Sequence, residues 1–180
     1  MSDKKGFIRK ACAVISVALL TASVSYAQPK AAGATFSFKG ISLSYEHCMN
    51  DSFLEASLKA ETAETFLYRS ECPGISGSLT WNFRIREWIS SEGNTITVFA
   101  GPGLIAGYGP DFKRQSGLFY GLKGRAGIEC DFERNVVISL AVSPIIGSHI
   151  VFHTDHISMN PYLNGLIYSV LPEIGIKYRF

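Results

Sequence analysis

The chain has 180 residues with 17 basic and 15 acidic side chains, enough for one domain and too evenly charged for a nucleic-acid surface. Residues 1–27 hold four of the basic and one of the acidic residues, so without them 13 and 14 remain, a net charge of −1. No apolar run of about 18 residues follows that segment, which excludes a later transmembrane helix.

The start reads as a secretory signal peptide. Lys4, Lys5, Arg9 and Lys10 form a basic region, and Ala11–Ala27 is uncharged and apolar, ending with small residues at Ser25 and Ala27. Cleavage is expected between Ala27 and Gln28. Residues 28–34 then form a short lead-in, and a single β-domain is expected over 35–180. Cys48, Cys72 and Cys130 would remain, an odd number with no zinc-binding spacing, so at most one disulfide is expected within the chain.

The domain is a series of alternating segments, each with one apolar and one polar face, as a strand requires. Ile41, Leu43 and Tyr45 form the first row. Phe36 and Phe38 are out of phase with it, which predicts a bulge near Lys39-Gly40. Leu54–Ala60 alternates too, although its composition also suits a helix. Ile75–Ile85 is the clearest strand. Ile96–Tyr108, Leu118–Phe132 and Val136–Val142 follow. Leu171–Phe180 places Pro172, Ile174, Ile176, Tyr178 and Phe180 on one face and Glu173, Lys177 and Arg179 on the other. That makes seven segments. Short polar connectors at 47–51, 90–94 and 133–135 alternate with longer ones at 61–73, 109–117 and about 148–164.

Several features favour lipid over a soluble core on the apolar side. Aromatic residues cluster near segment ends (Tyr45, Trp88, Tyr108, Phe132, Tyr178, Phe180), as at a membrane interface. The expected architecture is an all-β, single antiparallel up-and-down membrane barrel. Barrels of this kind have even strand numbers, so eight strands are expected. The eighth must come from 65–69, from 149–159 or from division of 34–47 into two. The polar faces assign Glu46, Glu55, Lys59, Arg84, Arg86, Lys123, Arg125, Glu129, Asp131, Glu173, Lys177 and Arg179 to the lumen, seven cations and five anions. An eight-stranded barrel is only wide enough for its own side chains, so a paired, closed interior is expected in place of a pore.

The C-terminal strand, with Ile174, Ile176, Tyr178 and Phe180, resembles the terminal signal of bacterial outer-membrane barrels. The whole chain resembles the small outer-membrane β-barrel domain family of Gram-negative bacteria. The resemblance implies residence in the outer membrane, contact with its lipid, assembly by the outer-membrane machinery through Phe180, and a structural or surface-interaction role as a monomer. It implies no cofactor, metal or nucleic-acid partner.

Two other readings attach to particular residues. His149, His153, Asp155 and His156 suggest metal ligands, but without a metal-binding spacing they read as loop residues. His156-Ile-Ser158 resembles the His-x-Ser of lipid A deacylases, in which the His activates the Ser for attack on an ester. In that family an Asn follows the Ser and a Glu orients the His about a dozen residues on. Here Met159 follows Ser158, Asn160 comes one place later, and the nearest acid downstream is Glu173. A soluble periplasmic lipocalin-like binding protein is the third alternative.

Overall fold

The computed structural model describes residues 29–62, 73–91, 93–111, 115–132, 135–152, 157–167 and 171–180. Ten strands and one helical turn occur in this order: β1 (Lys30–Ser37), β2 (Gly40–Cys48), β3 (Ser52–Glu61), β4 (Gly74–Ile89), β5 (Thr95–Pro110), β6 (Ser116–Phe132), β7 (Val136–Val142), β8 (Ile145–Phe152), β9 (Ile157–Pro161), α1 (Leu163–Ile167) and β10 (Glu173–Arg179).

All pairings are antiparallel, and they close a ring of eight wall positions. β1 to β6 pair in sequence order. β6 then pairs with β7 through Ala126–Phe132 and with β8 through Leu118–Lys123, so β7 and β8 are two halves of one position. The break falls at Ser143-Pro144, and Gly124 N–H donates to the Pro144 carbonyl across it (2.8 Å). β10 pairs with β7 on one side and with β1 on the other, from Ala31↔Arg179 to Phe36↔Ile174. β9 forms a hairpin with β8, and α1 follows it where the last position lacks a strand.

The eighth wall position comes from division of 34–47. The out-of-phase Phe36 and Phe38 mark a tight hairpin at Phe38-Lys39, and the expected bulge is replaced by this turn. Ser37 secures it: its hydroxyl donates to the Gly40 carbonyl (3.0 Å). Gly40 adopts φ +156°, and a Cβ there would run into the Ala60 carbonyl oxygen. Residues 65–69, another candidate for the eighth strand, lie outside the described residues. The third candidate, 149–159, extends the seventh position as β8 and turns back as β9. Much of the long connector expected at 148–164 is therefore strand and helical turn. Pairing also begins at Lys30, earlier than the lead-in of residues 28–34 suggests.

Side chains are distributed inside out relative to a soluble protein. Leu43, Leu104 and Ile176 are 67, 62 and 51% exposed, whereas Glu46, Arg125 and Lys177 are 0, 3 and 2% exposed. One irregularity changes the phase of a strand. The β4–β5 register shifts between Arg84 and Arg86, so one extra residue stands on β4. Beyond it, Arg86 faces outward opposite Val98 with its guanidinium 5.0 Å from the Trp88 ring, and Glu87 turns in to accept a hydrogen bond from Thr97 (3.4 Å). The assignment of Arg86 to the lumen is thus corrected by a bulge that strict alternation does not anticipate.

Replacing Gly40 with Ala is expected to destabilise the fold by at least about 1 kcal/mol, because the added carbon meets backbone that cannot move alone. Gly77 faces outward with nothing nearer than the Ser57 carbonyl at 4.0 Å, so Gly77→Ala should be tolerated. Urea unfolding midpoints of the two variants distinguish these outcomes.

Candidate functional site

The candidate site is the barrel interior, where alternation of every strand delivers the polar faces. At the end holding Lys30 and the C-terminal Phe180, Arg179 pairs with Asp131, and Arg84 lies 3.5 Å from Glu87. An apolar cluster of Cys48, Phe53, Phe99 and Ala141 follows, with the two phenyl rings edge to face at 5.3 Å.

Above this cluster sits the most heavily shared cation of the interior. Lys177 of β10 contacts Glu46 of β2, Glu55 of β3 (3.4 Å) and Glu129 of β6 (2.6 Å). Arg125 of β6 also pairs with Glu55. The ammonium of Lys177 and the guanidinium of Arg125 lie 5.8 Å and 5.5 Å from the Phe53 and Phe99 rings, which adds cation–π attraction. A buried charge needs such company, since several kcal/mol of hydration are lost per ion.

Further from the termini, Lys59 pairs with Glu173 at 2.5 Å, and Ser143 donates to the second oxygen of Glu173 (3.0 Å). Lys123 donates to Ser78 (3.0 Å), whose hydroxyl is also 2.7 Å from that of Ser57. These groups surround a cavity of about 20 Å³, space for one or two water-sized species. Eleven of the twelve side chains assigned to the lumen therefore face inward, Arg86 being the exception.

Sequence reasoning missed the residues that close the far end. Tyr162 is fully buried, stacks on Phe119 at 4.3 Å and donates to Glu61 (3.1 Å). Glu61 also receives Ser76 (2.8 Å) and ion-pairs with Lys39 (3.0 Å). Burial pushes the Lys39 ammonium down from its ordinary value, with Glu61 opposing the shift. Asn164 ties α1 across the barrel: its backbone N–H donates to Asp111 (3.0 Å) and its side chain to the Pro110 carbonyl (3.2 Å). Gly165 permits this packing, because a Cβ there would lie 2.8 Å from Tyr162 and 2.9 Å from Ile145. Lys39 and Glu61 sit at a turn and a strand end, where alternation carries little information. Tyr162, in an expected loop, offered only its aromatic bulk as a signal.

The residues singled out for chemistry are not assembled into a site among the described residues. Ser158 lies in β9 opposite Val151, and His156 lies outside the described residues. Glu173, the nearest acid downstream in sequence, is engaged by Lys59 and Ser143. His149 bonds the Gly109 carbonyl (3.1 Å), and among the described residues no three His, Cys, Asp or Glu side chains gather as a metal site requires. Cys48 and Cys130 are both free thiols, and Cys72 lies outside the described residues.

Ring closure, an apolar outer wall and a charged interior together define an eight-stranded up-and-down β-barrel of the membrane type. No family model and no curated protein matches the chain. Among solved structures, it is similar to Ail, the attachment invasion locus protein of Yersinia pestis. The identity is 17% over 85% of this chain and 95% of that one, with a TM-score of 0.35. The fold assignment rests on the strand ladder itself and not on that likeness.

Lys177→Met is expected to destabilise the barrel by about 3–5 kcal/mol, because three buried carboxylates lose a shared partner. Arg84→Ala, whose partner Glu87 is half exposed, should cost less than about 1 kcal/mol. Comparison of urea midpoints tests whether pairing at the centre of the interior dominates pairing at its end.

Proposed function

We propose that this chain is a small outer-membrane β-barrel protein of a Gram-negative cell. Its role is structural or surface-interacting, it has no open pore, and the signal peptide at residues 1–27 delivers it across the inner membrane. One observation carries the reading: charged side chains are buried in the lumen while a continuous apolar surface is exposed. A soluble lipocalin-like barrel would have the reverse arrangement, with apolar residues inside. Lipid solvates the outer rows, and the closed ring leaves it no unpaired strand edge. Outward aromatic residues Trp88, Phe132, Tyr178 and Phe180 stand at the terminal end, and Tyr108 and Tyr120 stand towards the other, suiting the two interfaces of a bilayer.

The ion pairs, the Phe53–Phe99 layer and the Tyr162 cap fill the lumen and support a closed barrel. Function then belongs to the loops, because connecting segments on a rigid scaffold are where interaction residues concentrate. The outward row from Ile174 to Phe180 serves as the signal to the assembly machinery, and the barrel works as a monomer.

The protein is expected to stay in the membrane fraction through carbonate and salt washing, to dissolve in detergent and to migrate faster on gels when unheated. Release by salt or carbonate alone would overturn the assignment. Purified barrels should show no stable conductance steps in planar bilayers, and such steps would refute the closed lumen. Leu104→Arg places a cation on the outer wall and should cost about 2–4 kcal/mol in lipid vesicles if the site lies near the bilayer midplane.

A further inference from the structure

The cavity beneath the Tyr162 cap is surrounded by more positive than negative charge. Lys39, Lys59 and Lys123 line it, and the carboxylates in reach are Glu61 and Glu173. Both carboxylates are already committed. Glu61 takes Lys39, Ser76 and Tyr162, while Glu173 takes Lys59 and Ser143. Lys123 is 6% exposed and has no carboxylate within 4.0 Å among the described residues. Its polar contact is the Ser78 hydroxyl at 3.0 Å. The Lys39 ammonium is taken up by Glu61 at 3.0 Å. Elsewhere in the described interior Arg125, Lys177 and Arg179 each meet a carboxylate, so Lys123 is the exception.

We propose that this cavity binds one small monovalent anion of the chloride class, held by Lys123 with the hydroxyls of Ser78 and Ser57. Around the cavity itself three ammonium groups meet two carboxylates, and an anion would sit on the Lys123 side of that local imbalance. The volume, about 20 Å³, has room for a species the size of a halide. The hydroxyls fit this role as well. When Ser78 accepts from Lys123, its own proton is free to donate to Ser57 or to the anion. A metal cation is disfavoured by the same surplus of ammonium groups.

The test is urea unfolding of the purified full-length barrel in detergent micelles at constant ionic strength, with chloride exchanged for gluconate, which is too large for the cavity. Chloride should favour the folded form about elevenfold at ten times its dissociation constant. Lys123→Met, which removes the charge at similar length, should abolish the difference. Equal stability of the wild type in both salts overturns the proposal, as does a chloride effect retained in the variant. Should Lys123→Met fail to fold, bromide-soaked crystals of the wild type decide. An anomalous peak within hydrogen-bonding distance of Lys123 and Ser78 supports the site, and its absence refutes it.

Discussion

Closure of the ring between β1 and β10 is the constraint from which the remaining features follow. Six successive residue pairs, from Ala31↔Arg179 to Phe36↔Ile174, join the first wall position to the last. Without this ladder the sheet would expose two edges, which hydrocarbon does not tolerate. With it, half of the side chains on every strand are committed to a lumen about as narrow as the side chains themselves. The polar row of each strand then loses most of its water, and its charges must find one another. Lys177 illustrates the consequence. It lies on the closing strand, and its three carboxylate partners come from β2, β3 and β6, so ring closure and charge neutralisation are coupled.

The interior is more varied than a uniform salt-bridge network. An aromatic layer at Phe53 and Phe99 separates the Arg179–Asp131 pair from the Lys177 cluster. A second apolar group, Ile105, Phe119, Ile145 and Tyr162, covers the opposite end. Between these layers the effective dielectric falls, which strengthens each ion pair and raises the cost of any charge left alone. The lumen is therefore filled by apolar packing at two levels as well as by electrostatic pairing.

Much of this was legible in the sequence because a barrel strand must alternate to satisfy lipid and lumen together. The rows at 75–85, 96–108, 118–132 and 171–180 correspond to β4, β5, β6 and β10, and their polar faces supplied most of the interior charges. What alternation could not show were the places where the backbone leaves the regular pleat. Phe36 and Phe38 carried the signal of the first hairpin, but a turn and a bulge break phase in the same way. The extra residue between Arg84 and Arg86 reverses the phase of one strand end, and a single chain offers no pattern that marks it. Nor could alternation reveal that Tyr162 and α1 stand where the last wall position lacks a strand, since that depends on Phe119, Asp111 and Glu61 from distant segments.

The cap also explains why the far end can hold charge at all. Tyr162 presents a ring face to the Lys39 ammonium at 4.8 Å and its hydroxyl to Glu61, so one side chain serves both members of an ion pair while sealing them from solvent. Tyr162 covers this pair, and the Lys59, Lys123 and Ser78 neighbourhood forms a small polar cavity beside it. In an open barrel mouth, a surplus ammonium would be neutralised by bulk counter-ions and would need no partner of its own. Beneath a cap a counter-ion needs a site of its own. The imbalance at Lys123 therefore follows from the segment that seals the barrel.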